Sequence, residues 1–256
     1  MGALSGSMVL LCAAGLGLSS LAGSLLGLFA GRIPHKLNDI FLGFCAGMML
    51  AASIVCLILP AVESVDAISL WQVLTGVAAG VGLVGILDAV IPHLHNLTGI
   101  DNEQHTTNSA TVSKVLLFVS AIALHKLPEG IATGIGLDET NPGNSLALVL
   151  AIALQNIPEG MVVVTPLIVI GLKYLRVGLF ALTVAAIEIA GVFIGYFLGN
   201  ISATLLPALL GVAGGAMLYV ISDEMIPETH SHGFQKQATY ALVAGVLFMI
   251  IIEKLV

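Results

Sequence analysis

Eight long apolar stretches fill this chain of 256 residues almost end to end, at roughly 4–31, 36–60, 68–91, 113–137, 143–170, 174–198, 202–226 and 238–256. Crossing about 30 Å of hydrocarbon takes roughly 20 helical residues, and all but the last stretch have that with margin. In lipid no water is at hand for exposed N–H and C=O groups, so only helices and closed barrels span it. The stretches are continuously apolar instead of alternating, which selects helices. Charged residues make up 9% of the chain, against about 25% in a soluble domain. The expected fold is therefore all-α, a membrane protein of eight transmembrane helices, with residues 1–256 forming a single transmembrane domain. The longest connecting loop, 92–112, is too short to fold alone. The first stretch has no basic n-region and reads as a retained helix, not a cleaved signal peptide. Cys12, Cys45 and Cys56 all fall inside apolar spans and imply no disulfide framework. No basic surface is available for nucleic acid; membrane lipid is the expected surrounding.

Basic residues orient the chain. With eight spans, one side receives Arg32, Lys36, Lys114, Lys173, Arg176 and Lys236, and the other only Lys254. Positive charge collects on cytoplasmic loops, so loops 32–36, 92–112, 171–176 and 227–237 are expected inside a cell membrane and both termini outside. The outer loops carry Glu63, Asp66, Asp138 and Glu139 with no basic residue between them. Such acidity concentrates cations at a mouth. Glycines at small-xxx-small spacing (Gly76 and Gly80, Ala78 and Gly82, Gly211 and Gly215) suit close helix contact in lipid and are compatible with a homodimer.

Within this apolar background one decapeptide occurs twice. AIALHKLPEG at 121–130 and AIALQNIPEG at 151–160 share seven of ten letters, and each places a glutamate near the middle of a span. An acid at that depth costs about 2.5–3.5 kcal/mol on insertion scales, which marks it as functional. His125 and Glu129 stand at i and i+4, as do Gln155 and Glu159, so each pair faces one way from its helix. Pro128 and Pro158 free the carbonyls of Leu124 and Leu154. Measured from span midpoints, His125, Glu129, Gln155, Glu159 and Glu188 fall within roughly 5 Å of one level, and Met49 shares it. One imidazole, two carboxylates, an amide oxygen and a nearby thioether suit a first-row divalent cation better than Mg²⁺ or Ca²⁺.

With these motifs in hand, the chain resembles the ZIP (Zrt/Irt-like protein) metal transporters, most closely their prokaryotic members, over its whole length. The resemblance implies a 3+2+3 arrangement, with inverted repeats of helices 1–3 and 6–8 around a central pair, helices 4 and 5. It further implies inward transport of a divalent ion, Zn²⁺ first and Cd²⁺, Fe²⁺ or Mn²⁺ after it, as substrate and not as cofactor. The family motif HNxPEG matches His125, Lys126, Pro128, Glu129 and Gly130; the second matches Gln155, Asn156, Pro158, Glu159 and Gly160. In GFCAGMMLAAS, Met49 matches the residue that reaches the metal. Glu188 and Asn156 border the position of a second metal, and Lys126 stands where relatives commonly have Asn. Glu63 is implied at the outer entrance; Asp223 and Glu224, with Asp88, His93 and His95, at the cytoplasmic exit.

Lys126 changes the expected chemistry. A protonated amine cannot ligate a cation, and it pairs directly with Glu129 at i+3. The carboxylates Glu129, Glu159 and Glu188 against Lys126 and one divalent ion sum to zero, so a mononuclear site is expected. Gln155, where many relatives have His, is a weaker ligand for soft metals and broadens selectivity toward Fe²⁺ or Mn²⁺. Two other classes compete, an intramembrane metalloenzyme and a proton-coupled exporter or organic-cation carrier. The chain has no HExxH, and its ligands lie at mid-depth in a duplicated frame. Passage is favoured over hydrolysis, and no enzyme is expected.

Overall fold

The computed structural model describes residues 6–30, 33–90, 126–137, 142–169, 171–202 and 204–255. They form eight helices and, among the described residues, no strand. These are α1 (Gly6–Ala30), α2 (His35–Glu63), α3 (Leu70–Val90), α4 (126–136), α5 (Pro142–Val169), α6 (Tyr174–Gly199), α7 (Leu206–Thr229) and α8 (Gln235–Leu255). All but α4, which is described only from residue 126, are long and apolar enough to cross a membrane. The chain is a multi-pass membrane protein.

Local chemistry sets the helix ends. Pro34 precedes α2 in an extended conformation, since it cannot continue a helix backwards but starts one well. Asp66 caps the approach to α3, its Oδ1 accepting from the Ser69 amide at 2.8 Å. Those bonds to Ser69 hold the Asp66 carboxyl below its ordinary range. The α5 helix closes on Gly171, whose φ is +82. The amide of Gly171 donates to the Ile168 carbonyl and that of Leu172 to Leu167, a Schellman end that a side chain at φ > 0 would strain.

Helices pair in a pattern that repeats. α3 packs on α7 and α2 on α8; α1 packs on α5 and α6, and α2 also reaches α5. A Cβ added at Gly76 or Gly80 would overlap the carbonyls of Ala208 or Val212, and one at Gly211 or Gly215 those of Val73 or Val77. On the other side, Gly43 and Gly47 meet Ala238 and Leu242, and Gly245 meets Phe44. Shifting every helix number of the first three by five turns the α3–α7 pair into α8–α2. The expected glycine contacts thus exist with one correction. Among the described residues nothing lies within 4 Å of a Cβ added at Gly82, so its spacing from Ala78 makes no helix contact there.

The repeat extends to a defect. In α2 the helix widens to a π turn at Ser53–Ile58 just before Pro60. The corresponding helix α7 does the same at Ile221–Met225, just before Pro227. Proline has no N–H for the carbonyl four residues back, and the π turn absorbs the mismatch. In α2 that carbonyl belongs to Cys56, and the Asn144 side chain of α5 donates to it at 3.0 Å. By contrast α5 runs through Pro158 as one continuous helix.

Candidate metal centre

The second decapeptide lies on α5 and the described part of the first, from Lys126, on α4, and each is held by a helix of a different repeat. A Cβ at Gly130 would overlap the Glu188 carbonyl and crowd Gly191 of α6; one at Gly160 would crowd Ser20 and Gly23 of α1. Glycine at these two positions lets backbones meet, and the residues one turn before each glycine are pressed together between α1 and α6.

What they form is a closed polar network. Lys126 Nζ donates to Glu129 Oε2 at 2.7 Å, to Asn156 Oδ1 at 2.7 Å and to Glu159 Oε2 at 2.6 Å. An ammonium has three donors and no acceptor, so every proton is used. Asn156 Nδ2 passes the network on to Glu188 Oε1 at 2.7 Å, and Ser20 Oγ donates to Glu188 Oε2 at 2.5 Å. Gln155 Nε2 reaches Glu129 Oε1 at 3.3 Å. Lys126, Glu129, Gln155, Asn156, Glu159 and Glu188 are all buried. Three carboxylates against one ammonium leave a formal charge of −2, which is costly away from water unless a further cation balances it.

One atom is left out of this arrangement. Gln155 Oε1 is buried and accepts no hydrogen bond among the described residues, although such an atom ordinarily finds a partner. An amide oxygen turned from its donors beside Glu129 is a metal-ligand group of the type the site calls for. Met49 is buried on α2. One turn before it, Cys45 Sγ lies 3.4 Å from the Gln155 carbonyl oxygen, so this face of α2 is the one packed on the Gln155 segment of α5. Among the described residues no three His, Cys, Asp or Glu side chains are gathered to hold a metal as they stand. Lys126 Nζ takes the place between the carboxylates of Glu129 and Glu159.

Other candidate residues lie elsewhere. Glu63 closes α2 and lines a cavity of about 340 Å³ together with Val55, Leu59, Pro60, Gly143, Asn144 and Glu253. Asp223 and Glu224 sit in the π turn of α7, Asp223 exposed and Glu224 half-buried. His125, His93 and His95 fall outside the described residues, as does the Asp88 side chain. The sequence did not single out Ser20, which binds Glu188, Ser19, which accepts from Asn156 at 3.2 Å, or Glu253 opposite Glu63. Their signal was weak: hydroxyls are common in membrane helices, and Glu253 is one acid near a helix end.

Comparison with known proteins identifies relatives of the chain. Residues 92–253 match the family model described as ZIP Zinc transporter. The chain is 36% identical over 253 residues to "Zinc transporter GufA" of Myxococcus xanthus, covering 94% of this chain and 98% of that protein. It is 38% identical over 255 residues to "Zinc transporter ZIPB" of Bordetella bronchiseptica, covering 97% and 81%. A human protein, "Zinc transporter ZIP11", is 35% identical over 147 residues, 55% of this chain. With the paired motifs buried face to face and relatives aligned along nearly its whole length, this chain belongs to the ZIP zinc transporter family.

Proposed function

We propose that this protein carries divalent transition-metal ions, Zn²⁺ foremost, across a cell membrane into the cytoplasm through a single-ion site between α4 and α5. The observation that carries the reading is that Glu129 and Glu159, from the two copies of the motif, bind the same cationic nitrogen at 2.7 and 2.6 Å. Carboxylates that converge on one positive charge can share another. Glu129, Gln155 and Glu159, with Met49 on α2 and His125 preceding Lys126, supply the oxygen, nitrogen and sulfur donors that a first-row ion takes.

Lys126 makes the site mononuclear. Its ammonium is bound to Asn156 and both glutamates, the groups that would otherwise serve a second ion. Glu188 then acts at one remove: Ser20 and Asn156 take its two oxygens, and its charge holds Asn156 toward Lys126. One divalent ion neutralises the remaining charge. Protons compete with the metal for every donor, so binding releases protons and weakens as pH falls.

The excess of basic residues supports a cytoplasmic α2 start and α7–α8 connection; on that reading the ion enters at the cavity of Glu63 and Glu253. It leaves on the side of Asp223 and Glu224, toward Asp88, His93 and His95. The exposed apolar side chains that ring the bundle face lipid. The activity is transport and not catalysis.

Uptake of radioactive Zn²⁺ by vesicles holding only the purified chain tests this. The wild type fills the vesicles, and Glu129→Gln/Glu159→Gln reduces uptake at least tenfold. Equal uptake by the two proteins would refute the site, and no uptake by either would refute the function. Competition by Cd²⁺, Fe²⁺ and Mn²⁺ orders the substrates.

A further inference from the structure

At the far end of α2 from Glu63 lies a second group of ligand-type side chains, which the central network does not touch. Asp39 is on the first turns of α2 and is fully buried. Its Oδ1 lies 3.0 Å from Nδ1 of His232, and its Oδ2 is buried with no hydrogen-bond partner among the described residues. His35 precedes Asp39 by four residues and so shares its face of the helix. The His35 ring stacks on that of His232, with centroids 4.6 Å apart and 24° between planes. His232 belongs to the connection between α7 and α8, which turns back at Gly233 with φ +88.

A clasp between loop and helix accounts for only part of this. A buried carboxylate oxygen left without a partner is destabilising, so a purely structural Asp39 would be a poor choice beside the many uncharged alternatives. The bond it does make leaves Oδ2 as the oxygen open to a further partner. His35 is exposed and the His232 side chain is 27% exposed, so both rings can turn between rotamers. Stacked as they are, the three groups do not gather to hold a metal, so a ring must leave the stack to share an ion with Asp39. The neighbouring His230 is occupied, its Nδ1 within 2.8 Å of the Ile226 carbonyl oxygen.

We propose that Asp39, His35 and His232 form a second divalent-metal site, at which a transition-metal ion is held at the end of the molecule opposite the Glu63 cavity. Two imidazoles and one carboxylate favour Zn²⁺ over Mg²⁺ or Ca²⁺. As the last station before the cytoplasm, the site rests on the transport reading above; as a binding site it does not. The rings change from stacking on each other to sharing the ion, which draws the α7–α8 connection onto the start of α2.

Equilibrium dialysis of the purified full chain against Zn²⁺, read by elemental analysis, decides the matter. With Glu129→Gln/Glu159→Gln as background, the central ion is removed and one ion per chain remains. Adding Asp39→Asn or His232→Ala abolishes it, whereas adding His230→Ala leaves it in place. Retention of no ion in the background protein would overturn the proposal. So would an ion that survives both Asp39→Asn and His232→Ala, since its ligands then lie elsewhere. Loss in Asp39→Asn alone, with His232→Ala and His35→Ala unaffected, would equally refute the three-ligand site. His232→Ala lies on a connection and spares the helix core. Since dialysis needs no transport, failure here leaves the vesicle result standing, and the reverse.

Discussion

Lys126 is the residue on which the chemistry of the centre turns. Its three protons go to Glu129, Asn156 and Glu159, so the side chain does the work of an ion that cannot diffuse away. Lys126→Asn is expected to add one tightly held Zn²⁺ per chain to the wild-type count, by elemental analysis of dialysed protein. An unchanged count would show that the ammonium is not what excludes a second metal. Gln155→His should sharpen preference, making Fe²⁺ and Mn²⁺ weaker competitors in an uptake assay, because imidazole favours Zn²⁺ more than an amide oxygen does. Further out, Ser20→Ala removes a hydrogen bond to Glu188. A bond to a charged group contributes about 1.5–3 kcal/mol, so the melting temperature in detergent should fall by several degrees. The sequence displayed the glutamates because each stands alone in a run of apolar letters. It could not display Ser20: Ser19 beside it bonds back to its own helix at Leu16, as hydroxyls in helices often do, and only the neighbouring helix separates the two roles.

Helices were legible for a plain reason: without water, a continuous apolar stretch has one way to satisfy its backbone. How they pair was partly legible. Gly76, Gly80, Gly211 and Gly215 advertise contact and make it, while Gly82, at the same spacing from Ala78, meets none of the described residues. The two cases predict opposite results. Gly80→Leu should drive the backbone of α7 away and leave no monodisperse protein on size exclusion, whereas Gly82→Leu should elute as the wild type does. Proline was less informative still. Pro158 sits inside an unbroken helix, yet Pro60 and Pro227 each follow a π turn, and nothing in the local letters separates them. The difference lies in what meets the released carbonyl: at Cys56 the Asn144 side chain is waiting. Asn144→Ala should therefore leave a buried acceptor unpaired and cost about 1–3 kcal/mol, read as lower thermal stability. The Asp39–His232 pair lay beyond reach for another reason, since 193 residues separate its members along the chain.

Across the molecule, three polar features are set apart: an acid-lined cavity at one end of α2, a centre of three carboxylates and one ammonium between two repeats, and a histidine–aspartate group at the other end. Because metal displaces protons from its donors, Zn²⁺ affinity should fall steadily as the medium is acidified, measured by dialysis without a gradient. A pH-independent affinity would mean that the donors are not the imidazole and carboxylates named here. The tethered ammonium has one more consequence, for how the protein comes into being. Two carboxylates thrust bare into lipid would repel each other while the helices were still finding their places, and an importer that needed its cargo to assemble could not be made when that cargo ran short. By carrying its own placeholder, this chain can be built in a starved cell, ahead of the first ion it is meant to fetch.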